Sequence, residues 1–374
     1  MKTPSNLDRI KGLPEENPEE IRYYENEIPE YVSGAIDSCY GALYSSISYL
    51  KLTGQLSAST STYVSLISGN VKSVFLFERN ARTIRVLNAA IRTETKEVLR
   101  FADFVFEKMP EVIRIYFSGV HMDRLHGKYP IQRYLAGEDI VIPLGKTSDE
   151  YRKQIGRSTR QNINRHAAAL KLTHPDFVYK AVPGNAADMA VVNRIVAWNR
   201  DRMARKSKTS AFKDDDAERF KIMAAASGLI GTLMIGEDIC AATVCCRVGM
   251  TYYMIMTGHD SLYDEFGVGI LCRFWTALEC LRMQAKEINL MGGRLSYKYK
   301  LLGESRKYES LTIYRDYTAV LRNFKDAFLT ALRGTWMEAK FALLDCERKS
   351  GSLARLTTRA LGIWRTVKRR TRPT

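Results

Sequence analysis

The chain has 374 residues, 45% of them hydrophobic, with 57 Lys/Arg against 41 Asp/Glu and a formal net charge of +16. That length can bury a full core and fits two domains or one double-sized one, and no run of 18 uninterrupted apolar residues offers a transmembrane helix. Seven cysteines without a CxxC spacing give neither a disulfide nor a zinc framework, so no metal is expected.

The opening stretch, MKTPSNLDRIKGLPEENPEE, is polar and lacks the apolar core of a secretory signal, which makes a reduced cytoplasm the expected location. Charge is uneven. From Leu321 onward thirteen Lys/Arg stand against four Asp/Glu, so this tail carries +9 of the +16. Such a balance points to an anionic partner: a phosphorylated cofactor, nucleic acid or a membrane surface.

Residues 1–20 read as a loose charged arm. Ile28–Leu50 reads as one or two helices with Tyr31, Ile36, Tyr40, Leu43 and Tyr44 facing inward. Thr62–Ile67 and Val71–Glu78 are strand candidates joined by the tight turn Ser68-Gly69-Asn70, and Thr83–Leu87 follows. A helix over Glu94–Lys108 ends before Pro110, and Val112–Phe117 is the next strand. A turn-rich connection, His121–Gly137, leads to a short strand at Asp139–Pro143. Thr147–Leu170 is predicted as helix, Pro175–Val182 as strand, and Ala186–Arg205 and Ala217–Ser227 as helices. Leu229–Ile235 is a strand, and Ile239–Arg247 with Met250–Thr257 forms a hairpin across Val248-Gly249.

Gly267-Val268-Gly269 then opens a helix reaching about Lys286, with Ile270, Leu271, Phe274, Leu278 and Leu281 on one face. Glu287–Met291 is a short strand stopped by Gly292-Gly293, and Leu311–Tyr317 is a final strand. Glycines at a strand-to-helix junction let main-chain N–H groups approach an anion at the positive end of a helix. Gly267–Gly269 is therefore a candidate phosphate or pyrophosphate site, a plain tight turn being the alternative.

The two halves share an order of elements (helix, antiparallel strands, helix, strand) without sequence identity. The first has no glycine turn before its helix; Ala89–Thr95 reads AAIRTET. The expected fold is α/β in two halves, 21–138 and 139–320; if they are duplicates, the first has lost the phosphate loop and the second carries the chemistry. A basic helical tail at 321–374 follows.

Four stretches, in order, resemble the GNAT superfamily, and within it the cellulose-biosynthesis (CelD/BcsL-type) acetyltransferases: SDEYRKQIGRSTRQNINRHAAAL, VVNRIVAWNRDRM, TGHDSLYDEFGVGILCRFWTAL and NLMGGRLSYKYKLLG. The resemblance covers roughly Asp139–Tyr317. It implies a mixed fold binding acetyl-CoA or another acyl-CoA, with the pantetheine between two parting parallel strands, Thr251–Thr257 and Glu287–Met291. The pyrophosphate would then sit on the N–H groups of Phe266, Gly267, Val268, Gly269 and Ile270, with Thr257 at the end of the flanking strand. The implied reaction is direct acyl transfer from the thioester to an amine, and by analogy the acceptor is a small molecule or glycan, such as an amino sugar or a polysaccharide- or lipid-linked intermediate. Three departures stand out. Asn289 replaces an aspartate, Arg294 and Leu295 replace acids after the glycines, and His259 replaces a tyrosine.

Direct transfer needs a base for the amine, an oxyanion stabiliser and a proton for the leaving thiolate. His259 has the ordinary pKa of a base, and Asp260 could cap the turn, contact substrate or orient His259. Tyr297 could protonate the thiolate and Lys298 neutralise an oxyanion; the plain alternative is a strand continuation, YKYK. Arg157 and Arg160, with Arg152, Lys153 and Arg165, form a solvated basic face or a grip on an anionic substrate. Trp198 packs in the core or lines an acceptor groove. Cys245 and Cys246 read as core, and Glu237, Asp238 and Glu265 as solvated acids. The tail, with Leu321, Phe324, Phe328, Leu332 and Trp336 and then Leu353, Leu356, Leu361, Trp364 and Val367 at helical spacing, packs on the domain or docks peripherally on the inner membrane face; nucleic acid is not the expected partner. Two rivals remain open: a Fem-like transferase using aminoacyl-tRNA, and a non-catalytic binding protein.

Overall fold

The computed structural model describes residues 19–123, 127–145, 147–205 and 215–347. The alternating, β-branched stretches become strands of one mixed sheet. In the first half these are β1 (Glu19–Tyr24), α1 (Val32–Tyr40), α2 (Ile47–Leu52), β2 (Ser61–Ile67), β3 (Asn70–Asn80), β4 (Thr83–Val86), β5 (Ile91–Arg92), α3 (Thr95–Lys108), β6 (Arg114–His121) and β7 (Ile131–Pro143). The second half has α4 (Ser148–Gln154), α5 (Arg157–Thr173), β8 (Val178–Pro183), α6 (Ala190–Arg205), α7 (Asp216–Ser227), β9 (Leu229–Ile235), β10 (Asp238–Val248) and β11 (Thr251–His259). It continues with α8 (Val268–Arg282), β12 (Glu287–Asn289), α9 (Ser296–Lys300), β13 (Glu304–Tyr314), α10 (Tyr317–Arg322) and α11 (Phe324–Glu347).

Strand order across the sheet is β1-β2-β3-β4-β6-β13-β7-β12-β11-β10-β9-β8, with β5 also on β6. Read from either end it repeats: three antiparallel neighbours, one parallel step, then an antiparallel strand. The last strand of each half crosses over. β7 pairs with β12 of the second half, β13 pairs with β6 of the first, and the two pair with each other at the centre. Neither half's sheet is complete without the other. The expected boundary between residues 138 and 139 accordingly falls inside β7, and the one at 320/321 falls inside α10.

Helices cover both faces. In the first half α3 lies over an aromatic cluster of Tyr63, Phe75, Phe77, Phe101 and Phe117, while α1 and α2 close the other face around Ile36, Leu50 and Val74. In the second half α4, α5 and α8 share one core, and α6 with α7 cover the opposite face.

Several expectations change. The strand expected at Asp139–Pro143 begins eight residues earlier, at Ile131. Gly137 is a strand residue there because the Tyr308 ring leaves no room for a Cβ, which would sit 2.7 Å from it. The helix expected over Thr147–Leu170 breaks at Ile155-Gly156, which are extended. Tyr31 is 44% exposed rather than inward, its hydroxyl paired with that of Tyr24. YKYK is helical (α9), and Tyr317 starts α10 instead of ending a strand. Leu353 to Val367 and most of the 1–20 arm lie outside the described residues.

Candidate active site

β11 and β12 are parallel, but only three rungs join them, Thr251↔Glu287, Tyr252↔Ile288 and Tyr253↔Asn289. On its other side β11 stays paired with β10 as far as His259. A bulge explains the parting. Val244 pairs with Met256 and Cys245 with Met254, so Ile255 is an extra residue that bends β11 just beyond the last rung. A wedge with one open strand edge results, and the paired segment forms its branch point.

At the far end of the wedge the chain turns into α8. Gly267 has φ +59, a left-handed conformation, with the His166 ring packed 3.0 Å from where a Cβ would stand. The first turn of α8 holds no acid, and among the described residues the amides of Val268 and Gly269 have no acceptor. Phe266 and Val268 point their side chains into the core, leaving only main chain to face a ligand. A Cβ on Gly269 would lie 2.6 Å from His259 Nδ1 and 3.1 Å from Arg273 Nη1, so this glycine lets both side chains come against the turn.

His259 Nε2 lies 2.8 Å from Asp264 Oδ1. Burial pushes its pKa below the ordinary value against the pull of Asp264, and the charges of Arg273 and Arg202 add to the push. Six residues of extended chain, about 20 Å, separate it from Tyr253 at the branch point. Asp260 caps the turn by accepting from the Leu262 amide at 3.0 Å. Trp198 packs on β11, 3.2 Å from where a Cβ of Gly258 would be, with Arg194 over its ring. Arg157 and Arg160 sit in the first turn of α5, and His166 lies mid-helix; Arg160 donates to the carbonyls of Arg152 and Lys153, bracing α4.

Arg273, which the sequence reading passed over, bridges the wedge. Its Nε and Nη2 donate to Thr257 Oγ1 at 3.0 and 2.5 Å, its Nη1 donates to the Gly269 carbonyl at 2.7 Å, and it lies 4.4 Å over the Tyr297 ring. No carboxylate pairs with it among the described residues. Burial pushes its pKa down. An uncompensated, partly buried guanidinium beside two free amides suits an anion.

At the branch point β7 brings two acids against positions 289 and 294. Asn289 Nδ2 donates to Asp139 Oδ2 at 2.9 Å, and Arg294 grips Glu138 at 2.5 and 2.9 Å while reaching Asp345 on α11 at 2.7 Å. Asp139 is 4% exposed, and burial raises its pKa. Burial also pushes Glu138 up, but Arg294 and Ser305 outweigh it and hold that carboxyl below its usual range. Lys298 is 3% exposed and donates to the carbonyls of Leu290, Met291 and Gly292 at 2.6, 2.9 and 2.7 Å. Burial lowers its pKa to about 8 while Asp139 pulls it up, so the ammonium persists at neutral pH with all three protons engaged. Cys245 and Cys246 are buried, their thiols pushed up, Cys245 first by its bond with Cys280 and Cys246 by burial. In sequence, only the adjacency of Glu138 and Asp139 to a strand could have drawn attention to them.

Residues 157–300 match the family model described as an acetyltransferase (GNAT) domain. No curated protein matches the chain. Among solved structures, the fold is similar to that of FemX at TM-score 0.53, with 9% identity over 78% of this chain and 96% of that one. A conserved protein of unknown function from Bacteroides thetaiotaomicron VPI-5482 aligns at TM-score 0.49, with 14% identity over 76% of this chain and 96% of its own. A tandem GNAT protein from the clavulanic acid biosynthesis pathway aligns at 0.38, with 10% identity over 78% and 98%. Residues 157–300 are thus similar to a GNAT-type acetyltransferase domain, whose general chemistry is acyl transfer.

Proposed function

We propose that this protein moves an acyl group from a coenzyme A thioester, acetyl-CoA or a longer acyl-CoA, to an amine. The observation that carries this reading is the wedge between β11 and β12, with an open strand edge leading to free amides at the start of α8. Residues of this chain fit such a donor: the Val268 and Gly269 amides with Arg273 and His259 for its pyrophosphate, and the β11 edge for its pantetheine. The donor supplies an activated thioester carbonyl.

Asp139, kept basic enough by burial, takes the proton of the attacking amine, and Tyr297 gives its own to the departing thiolate. Lys298 acts by position, holding the Leu290–Gly292 turn through three carbonyls. Trp198 lines the approach beside His259. The resemblance to the cellulose-biosynthesis acetyltransferases supports an amino sugar, or a polysaccharide- or lipid-linked intermediate, as acceptor.

Thermal unfolding of the full chain with coenzyme A, acetyl-CoA, longer acyl-CoAs and AMP tests the donor. A ligand at about 100 times its Kd adds roughly 2.7 kcal/mol, and Arg273→Met should diminish the shift produced by thioesters. Absence of a shift with every thioester sinks the proposal. Salt-sensitive tRNA binding in its place would establish the aminoacyl-tRNA reading, which the +16 charge favours. Binding without thiol release in the presence of amines would establish a non-catalytic protein.

A further inference from the structure

Helix α11 buries a narrow line, Ala327, Gly334 and Phe341, one residue in seven, with Gly334 seated on Tyr134. Its opposite side, continued onto α10, turns Leu321, Phe324, Phe328, Leu332 and Trp336 to solvent; Phe324, Phe328 and Leu332 are 63%, 52% and 51% exposed. Phe324 and Phe328 stack on one another in the open, 6.0 Å apart. The usual amphipathic arrangement is inverted here, and a continuous exposed stripe of this kind marks a contact surface.

A cavity of about 800 Å³ opens beside the stripe, between α10–α11 and the sheet. Five arginines line it, Arg82, Arg85, Arg114, Arg322 and Arg333, against one acid, Asp326, which Arg114 engages at 2.8 Å. Arg82 donates to the Glu111 carbonyl and Arg333 lies over Tyr134, whereas Arg85 and Arg322 have no partner among the described residues. The segment that follows α11, residues 348–374, holds nine Lys/Arg and no Asp/Glu.

We propose that the α10–α11 face is a docking surface for an anionic lipid bilayer. The apolar stripe lies in the interface, and the arginine-lined cavity takes headgroup phosphate. Charge complementarity decides the occupant: a second copy would set one cationic face against another, whereas an anionic bilayer neutralises the arginines and the tail together. No helix among the described residues is long and apolar enough to cross a membrane, so this contact is one of lying on the surface. Asp345 near the end of α11 binds Arg294 beside the branch point, so docking would hold the candidate active site close to the bilayer.

Co-sedimentation of the full chain with vesicles of phosphatidylcholine, alone or with roughly one third phosphatidylglycerol, tests this. Binding to the anionic vesicles should be at least about tenfold tighter than to the neutral ones. Phe328→Glu/Leu332→Glu should weaken it at least about tenfold, and Arg85→Ala/Arg322→Ala several-fold with a shallower salt dependence. All four residues are exposed, so folding is not at stake, and circular dichroism checks it. The proposal is overturned if the wild-type chain ignores anionic vesicles, or if the Phe328/Leu332 variant binds them as the wild type does. It is also overturned if sedimentation velocity shows a dimer that this variant breaks while vesicles remain unbound.

Discussion

The two halves build the same parallel strand pair around a crossover helix and finish it differently. In the first, β4 and β6 share four rungs, and after a short interruption β5 resumes pairing with β6 at Ile91↔Val120 and Arg92↔His121. No wedge is left. Its crossover helix α3 carries Glu97 in the first turn, 2% exposed and held by Arg100 at 2.6 Å and Ser73 at 2.9 Å. That carboxylate supplies from within the chain the negative charge that a helix N-terminus favours. In the second half the bulge at Ile255 opens the wedge, α8 starts on glycines without an acid, and a cation, Arg273, stands in the opening. One duplicated frame can therefore serve as scaffold or as site, according to whether strand edge and helix start are satisfied internally.

The strongest test of this contrast lies at the branch point. Asp139→Asn should lower acyl transfer about 10²–10⁴-fold, read as thiol release, without lowering the thermal midpoint at neutral pH. The sign follows from burial. A folded-state pKa above the ordinary carboxylate value means that stability present at low pH is lost as pH rises through that interval, and Asn removes the loss. A midpoint that falls with activity would instead make Asp139 a structural residue.

Next in size is Lys298→Met, which strands one buried and two half-buried carbonyls and should cost roughly 2 kcal/mol in urea unfolding. A change below about 0.5 kcal/mol would mean that the ammonium is not what holds the Leu290–Gly292 turn.

Smaller, but more specific to the contrast, is Gly269→Ala. Its Cβ meets His259 and Arg273, so thioester affinity should drop about tenfold, some 1.4 kcal/mol, with little change in stability. Glu97→Gln in the first half should do the reverse, costing about 1–2 kcal/mol of stability and leaving thioester affinity unchanged. Equal effects of the two substitutions on affinity would break the division into scaffold and site.

The smallest effect concerns His259. With its folded pKa lowered by burial, its contribution to stability is complete above about pH 6.5 and declines as pH falls below that value. His259→Gln should flatten this acid limb in thermal unfolding scans; an unchanged limb would assign it to another group.

Most elements were legible in the sequence because their signals are local. The Ser68-Gly69-Asn70 turn, the hairpin across Val248-Gly249 and the glycine start of α8 appear where the residue pattern puts them. Where the reading missed, a distant partner was the cause. Gly137 looks like a turn signal until the Tyr308 ring, supplied by β13, explains it. For Lys298, read as able to neutralise an oxyanion, the cause is nearer: the carbonyls of Leu290, Met291 and Gly292, six to eight residues upstream, accept all three of its N–H bonds.

By itself the sequence determined the α/β class, the doubled order of elements and a glycine-opened helix, all set by periodicity and backbone freedom within a few residues. Tertiary structure alone decided that β7 and β13 change places between the halves and that β7 sets Asp139 and Glu138 against Asn289 and Arg294. It also decided that Arg273 fills the wedge and that α11 faces solvent with its apolar side. The strand exchange and the acids of β7 depend on which strands become neighbours across more than a hundred residues, and pairing at that range leaves no period in the chain to read.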